Sequence, residues 1–222
     1  MSQIRIAVIV GSNRKESINR KLALAMAKLA PDSLTFEDVR IDDLPMYNMD
    51  PEGARPAEVN RFTAQVATCA GVLMLTPEHN RSLPAVLKNA IDWGSKPMDK
   101  NVWRDKPTAI SGTSPGALGT AVAQQHLLQI MGILGPSVLG GEAYISFAPN
   151  LVDEHGNVTV EATKTFLKAY MDRFGSFAHR LAAKYGHFTS STRIPSWRPA
   201  PRSTICTVAW SGLKPLGSAT LP

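Results

Sequence analysis

The sequence has few cysteines, and their placement excludes two kinds of stabilising site. It holds only Cys69 and Cys206 in 222 residues, with no Cys-x-x-Cys pair and no cluster of His and Cys beside either one. A disulfide framework needs more cysteines, and a structural zinc site needs four suitably spaced ligands. We therefore expect two ordinary thiols and no metal site.

Long hydrophobic runs are also missing. A membrane-spanning helix needs about 20 consecutive apolar residues, and charged residues, Gly or Pro interrupt every apolar stretch of this chain. The first five residues, Met1 to Arg5, lack the basic and apolar regions of an export signal. These absences predict a protein that does not bind membranes and lies in the cytoplasm.

The positive charges of the chain do not form the dense cluster that a nucleic-acid-binding surface needs. The net charge is +6, and four of these charges lie after residue 187, on Arg193, Arg198, Arg202 and Lys214. Such a thin cluster could tether the chain to an anionic partner, but a solvated tail explains it more simply. We expect one domain over residues 1–187, and a disordered basic tail, rich in Ser, Thr, Pro and Gly, over residues 188–222 that binds no nucleic acid.

Within the body, short apolar runs alternate with helical patterns. The predicted strands are Gln3–Val10, Leu34–Arg40, Gly71–Thr76, Pro107–Ser111 and an apolar stretch at Ser137–Tyr144. The predicted helices are Asn19–Ala30, Pro56–Ala70, Leu83–Trp93, one ending near Met131, and Thr159–Tyr185. Strands that alternate with helices form a parallel sheet covered on both faces. The sequence therefore predicts a doubly wound, three-layer α/β/α fold.

The loop after the first strand has the composition of an anion-binding site. Small hydroxyl residues and exposed backbone N–H groups precede the first helix, and the positive end of a helix attracts phosphate. Ser12, Ser17 and Asn19 offer donors, and Arg14 offers a positive charge. The alternative is that Ser17 simply caps the helix and that the basic residues are solvated.

Two further loops follow the third and fourth strands. The first has the sequence Pro77-Glu78-His79-Asn80, and the second, from Ser111 to Gly119, is rich in Gly and hydroxyl residues. Ligands of open parallel sheets bind beyond the carboxyl ends of the strands, where the strand order reverses. All three loops are expected to meet there, although each of these two could also be an ordinary connection.

Taken together, these segments resemble the NAD(P)H-dependent FMN reductase family, which includes bacterial quinone and chromate reductases. The resemblance covers roughly Ile4 to Tyr185, and its most specific parts are Gly11–Ala23, of the form GSxRxxSxNRxLA, and Pro77–Trp93, PEHNRSLPAVLKNAIDW. It implies a flavodoxin-like five-stranded parallel sheet in the order 2-1-3-4-5.

The resemblance also implies how FMN is bound. Its phosphate would contact Ser12, Arg14, Ser17 and Asn19. The isoalloxazine ring would lie along Pro77, Glu78, His79 and Asn80, and its border would be formed by Ser111, Gly112, Ser114 and Gly116. No side chain of this set is expected to act as a catalytic acid or base, because the flavin carries the chemistry.

The activity implied by the resemblance is transfer of reducing equivalents from NADPH or NADH, through FMN, to a small acceptor. Quinones are the expected acceptors, with chromate, azo compounds and free flavin as others, and the enzyme would be a homodimer or homotetramer. His79 and Arg81 stand where many relatives have aromatic residues. The alternative is a flavodoxin-like electron-transfer module that binds FMN but does not oxidise NAD(P)H itself.

Overall fold

The computed structural model describes residues 3–185, and the tail predicted for residues 188–222 lies outside this range. Strands and helices alternate along the chain as the sequence predicts. The strands are β1 (Ile4–Val10), β2 (Leu34–Asp38), β3 (Gly71–Leu75), β4 (Pro107–Ser114), β5 (Ser137–Val138) and β6 (Tyr144–Ser146). The helices are α1 (Ile18–Leu29), α2 (Ala57–Thr68), α3 (Ala85–Gly94), α4 (Ala121–Leu134) and α5 (Glu161–Tyr185).

The strands form one parallel sheet in the order β2-β1-β3-β4-β5, with β6 also paired to β4. This order confirms the predicted flavodoxin-like fold. After β2 the chain crosses to the other side of β1, where β3 is added. β1 therefore pairs with both β2 and β3, all in parallel. The carboxyl ends of β1, β3 and β4 therefore lie side by side, and the three loops of interest all leave from this edge.

Helices cover both faces of the sheet, and the side chains of β1 alternate between the two layers. Ile6 and Val8 pack in a core with α1 and α5, whereas Ala7 and Ile9 pack in the opposite core with α2, α3 and α4. Successive residues of a strand point to opposite faces. A strand segment covered on both sides must then be apolar throughout, which explains the hydrophobic run Ile6–Val10; Arg5, near the start of β1, is exposed.

The sequence predicts one fifth strand at Ser137–Tyr144, but the structure has two short strands there. β5 pairs with the start of β4, and β6 pairs with its end, at Gly112–Ser114. Between them lies Gly141, whose φ of 95° is incompatible with an extended strand. Pairing with β6 also extends β4 to Ser114, three residues beyond the predicted end at Ser111.

Helix α4 is longer than predicted. It continues past Met131 to Leu134, and Gly135 ends it in the left-handed conformation with a φ of 83°. Glycine at this position is a common helix terminator. Two short 3-10 turns, Asp50–Gly53 and Met98–Lys100, were not expected from the sequence.

Residues 3–185 contain no helix that is both long and apolar enough to cross a membrane. Within the same range no group of three or more His, Cys, Asp or Glu side chains is arranged to hold a metal ion. Cys69 is buried as a free thiol.

Candidate functional site

Loop one, residues 11–17, joins β1 to α1 and presents unpaired backbone donors. Ser17 is the N-cap of α1, and its side-chain oxygen accepts a hydrogen bond from the backbone N–H of Arg20 at 3.3 Å. The Ser17 side chain therefore caps α1, which is the alternative role that the sequence offered for it. The backbone N–H groups of Ile18 and Asn19, at the start of the helix, have no acceptor among the described residues, and they remain available to an anion.

Asn19 fastens the start of α1 to β4. Its Nδ2 donates to the carbonyl oxygen of Thr113 at 2.9 Å, and its Oδ1 accepts from the N–H of Thr113 at 2.9 Å. The Asn19 side chain is almost fully buried. It holds loop one against the strand from which the third loop leaves.

Loop two, residues 76–82, contains a tight hairpin turn. His79 and Ser82 exchange two backbone hydrogen bonds of 2.9 Å. Between them, Asn80 and Arg81 have φ values of 50° and 63°. Positive φ at both central residues defines a type I′ turn, and Asn is one of the residues that tolerate it best. The turn gives loop two a fixed shape next to β4.

Glu78 connects loop two to α4. Its Oε2 accepts hydrogen bonds from the backbone N–H groups of Val122 and Ala123, at 3.1 and 3.2 Å. Helix α4 lacks a side-chain cap of its own, because its N-cap residue Thr120 makes none. A carboxylate at a helix N-terminus satisfies unpaired donors and the positive end of the helix dipole. Glu78 thus caps a helix that is distant in sequence.

Loop three, residues 115–120, follows the extended β4. Ser111 is buried within the strand, where its hydroxyl donates to the carbonyl oxygen of Ala143 at 2.9 Å. Gly112 lies where a Cβ atom would stand 2.1 Å from the backbone oxygen of Thr76, so only glycine allows this approach of loop two to β4. Ser114 is partly buried and Gly116 is exposed.

The structure brings the predicted site residues to one edge of the sheet. They lie at the carboxyl ends of β1, β3 and β4, which are adjacent. Four of them already use their side chains within the protein. Ser17 caps α1, and Asn19 and Glu78 join α1 to β4 and loop two to α4. Ser111 donates to the carbonyl oxygen of Ala143, just before β6. The predicted FMN contacts of the twelve residues stay predictions.

Comparison with known proteins identifies the family. The model of the family described as NADPH-dependent FMN reductase matches residues 4–150. The chain is 46% identical over 180 residues to a quinone reductase of Pseudomonas putida, covering 80% of this chain and 96% of that protein. It is 43% identical over 175 residues to a 2-hydroxy-1,4-benzoquinone reductase of a Burkholderia species, covering 78% and 96%.

A solved structure agrees with these relatives. The flavoenzyme NAD(P)H:(acceptor) oxidoreductase of Paracoccus denitrificans superposes with a TM-score of 0.77 at 40% identity, over 80% of this chain and 98% of that one. The chain belongs to the NADPH-dependent FMN reductase family. This confirms the expected oxidoreductase that uses FMN and NAD(P)H, and it does not favour an electron-transfer module without NAD(P)H oxidation.

The loops of this FMN reductase fit a flavin mononucleotide. Free backbone donors remain in all three: among residues 3–185, the N–H groups of Ser12, Lys15, Glu78, Asn80 and Gly116 have no acceptor. The donors of loop one, at the start of α1, suit a phosphate, and those of loops two and three suit the polar edge of a flat ring. FMN, when bound, accepts hydride from NAD(P)H and passes electrons on.

Three residues that shape the site are not indicated by the sequence. Thr113 exchanges two hydrogen bonds with Asn19: its carbonyl oxygen accepts from Nδ2, and its N–H donates to Oδ1. His126 of α4 places its Nδ1 3.0 Å from the Ser82 hydroxyl, beside the hairpin turn. Asn89 of α3 donates to the carbonyl oxygen of Pro45 at 2.9 Å, which fixes the segment after β2. These contacts join residues that are far apart in sequence, so no local pattern reveals them.

Proposed function

We propose that this FMN reductase transfers reducing equivalents from NADPH or NADH, through bound FMN, to small quinones. The observation that carries the proposal is the convergence of three loops with free backbone donors at the carboxyl ends of β1, β3 and β4. The quinone acceptor is supported by two relatives named as quinone reductases, at 43% and 46% identity.

In this scheme the chain binds and orients, and it supplies no acid or base. Backbone N–H groups at the start of α1 hold the phosphate, as free donors at a helix N-terminus do. The fixed turn at His79–Ser82 and the segment Ser114–Gly116 flank the ring and leave one face open for the nicotinamide and then for the acceptor. Donors near the ring favour the negative charge that the flavin carries when reduced.

The twelve predicted residues act in two ways in this proposal. The backbone groups and exposed side chains of loops one, two and three contact FMN. The side chains of Asn19, Glu78 and Ser111 are positioning groups, because each is committed to another part of the protein. Ser12 and Arg14 are not buried, and both can contact phosphate: the Ser12 hydroxyl accepts from the Arg14 N–H at 3.4 Å but can still donate its proton.

We also propose how the enzyme assembles and where it works. The enzyme works as a homodimer or homotetramer, as the family resemblance implies. It works in the cytoplasm, where a supply of NAD(P)H is present. Size-exclusion chromatography with light scattering measures the first, and cell fractionation measures the second.

An anaerobic flavin experiment tests the proposed reaction. Purified protein loaded with FMN should be yellow, and its flavin absorbance should bleach when NADPH or NADH is added. Subsequent addition of 1,4-benzoquinone should restore the absorbance. Protein that does not bind FMN, or whose flavin is reduced by dithionite but not by either nucleotide, would refute the proposal. Chromate, an azo dye and free FMN in place of the quinone rank the other acceptors.

A further inference from the structure

The hairpin turn of loop two has a strained backbone. Asn80 and Arg81 have φ values of 50° and 63°, in the left-handed region that is unfavourable for residues other than glycine. Asn can offset part of this cost through local hydrogen bonds of its short side chain, but Arg cannot. Such strain persists only where the surrounding contacts determine the conformation, and it concentrates at functional sites.

Helix α4 supplies contacts on both sides of this turn. Before the turn, Glu78 accepts hydrogen bonds from the backbone N–H groups of Val122 and Ala123. After the turn, the hydroxyl oxygen of Ser82 lies 3.0 Å from Nδ1 of His126, and either group can donate, according to the tautomer of the ring. The two contacts are about one helical turn apart on α4, so one rigid element holds both ends of the strained turn.

The two contacts differ in what else depends on them. The Glu78 side chain is only 11% exposed and caps α4, so its loss would disturb the helix as well as the turn. His126 is exposed, and within residues 3–185 its ring has no hydrogen-bond partner other than Ser82. A change at His126 therefore removes a support of the turn and little else.

We propose that His126 is a positioning residue for the flavin: through Ser82 it holds the strained turn in the shape that fits the isoalloxazine ring. The inference rests on the proposed function, which places the ring along loop two. Without the contact between His126 and Ser82, the turn relaxes toward backbone conformations of negative φ. Binding of FMN then includes the cost of ordering the turn again, which lowers the affinity.

Four single variants separate this role from others. His126→Phe keeps a ring but removes the contact, and Ser82→Ala removes it from the other side. His126→Asn keeps a polar atom on Cγ, where Nδ1 is bonded in histidine, and should restore the contact. Phe, Asn and His have similar helix propensities. His155→Phe is the matched control, because it makes the same change at a side chain that is 75% exposed in the segment after β6.

Hydrogen exchange measures the turn itself, in protein from which FMN has been removed. Peptides that cover residues 76–84 should exchange about fivefold faster in His126→Phe and in Ser82→Ala, the usual effect of losing one hydrogen bond. His126→Asn and His155→Phe should exchange as the unmodified protein does. The same rates in His126→Phe and in the unmodified protein would overturn the inference.

Fluorescence titration measures the consequence for FMN. The dissociation constant should rise about fivefold in His126→Phe and in Ser82→Ala. The variant that carries both changes should bind FMN no more weakly than either single variant, because both changes remove the same contact. Additive losses in the double variant would contradict an action through Ser82.

Single-turnover reduction distinguishes positioning from mere support of the fold. With FMN and NADPH both saturating, the flavin of His126→Phe should bleach about fivefold more slowly or worse, since small displacements of reacting groups lower rates strongly. His126→Asn should recover the rate. Faster exchange of loop two with an unchanged reduction rate and FMN affinity would show a purely structural role and would refute the inference.

Failure of the proposed function gives a different result. If the unmodified protein bound FMN but was reduced by neither NADPH nor NADH, the proposed reaction would be wrong. Hydrogen exchange and FMN affinity would then still decide whether His126 positions the turn. Equal effects of His155→Phe and His126→Phe on both quantities would contradict a specific role for His126.

Discussion

Asn19 and Thr113 are joined by a pair of buried hydrogen bonds, each 2.9 Å long, although 94 residues separate them. The amide side chain of Asn19 satisfies both the N–H and the carbonyl group of Thr113. It thereby ties the start of α1, with its free donors, to β4, whose carboxyl end leads into loop three. Two parts of the flavin site are held at a fixed distance by a single side chain.

Replacing this side chain should weaken both stability and flavin binding. Asn19→Ala leaves two buried backbone groups of Thr113 without partners, which costs about 2–4 kcal/mol of the free energy of unfolding. Urea unfolding of the protein without FMN measures this loss, and fluorescence titration measures a parallel decrease in FMN affinity. Asn13→Ala, at an exposed position of loop one, should leave the unfolding free energy unchanged. Equal stability of the two variants would contradict the role assigned to Asn19.

The carboxylate of Glu78 should contribute through its charge as well as its hydrogen bonds. Glu78→Gln keeps one acceptor oxygen but removes the charge at the N-terminus of α4, and it should lower the free energy of unfolding by about 1 kcal/mol. Glu78→Ala removes the cap and should cost about 2 kcal/mol. Thermal unfolding followed by circular dichroism measures both effects. Glu154→Gln, whose side chain is 87% exposed, is the control, and an equal loss there would argue against a capping role.

Replacement by alanine should have very different effects on stability at two glycines near loop three. A Cβ at Gly112 would stand 2.1 Å from the Thr76 carbonyl oxygen and 2.5 Å from the Thr120 hydroxyl, whereas the nearest atom to a Cβ at Gly116 is 3.9 Å away. Gly112→Ala should therefore destabilise the protein by about 3 kcal/mol or more and reduce its flavin content. Gly116→Ala should change the unfolding free energy by less than about 0.5 kcal/mol. Purified yield, flavin-to-protein ratio and urea unfolding check the pair.

Much of the fold follows from local patterns, because each strand and helix has a periodicity of its own. The apolar run of β1 predicts a strand buried on both faces, and it is one. The split at the fifth position is signalled only by Gly140-Gly141, a common turn pair, and it is the pairing with β4 that shows where each short strand lies. The end of β4 was placed too early for the same reason: its last residues are strand because β6 pairs with them.

The site was predictable in its location but not in the roles of its side chains. The loops after β1, β3 and β4 had to meet once the strand order was fixed. Whether Asn19 or Glu78 faces a ligand or fastens one loop to another depends on residues about 44 to 94 positions away, and no spacing rule covers such distances. The hairpin turn at His79–Ser82 escaped notice because Asn80-Arg81 is not a common turn pair.

The burial of Lys106 should make the stability of the protein depend on pH. Lys106 is 2% exposed, and its Nζ donates to the carbonyl oxygens of Cys69 and Ala67, at 2.5 and 3.3 Å, at the C-terminal end of α2. Burial lowers the pKa of Lys106 from 10.5 to about 8. Between these two pH values the unfolded chain binds this proton and the folded protein does not. Stability should therefore increase with pH across that interval.

The size of the increase follows from the pKa difference. From below pH 8 to above pH 10.5, the Lys106 contribution should raise the free energy of unfolding by about 3 kcal/mol. Lys106→Met lacks the titrating group and should lack this rise, so the difference between the two proteins at pH 7.5, 8.5 and 9.5 isolates it. Parallel stability curves for both proteins over this range would show that the ammonium group is not destabilised in the fold.

The short strands at both edges of the sheet limit how copies of this reductase associate. One edge is β2, with five residues, and the other is shared by β5 and β6, with two and three residues. An edge this short, or interrupted, is a poor template for backbone pairing with another molecule. We therefore expect any assembly of residues 3–185 to use helix and loop surfaces rather than to continue the sheet from one subunit into the next.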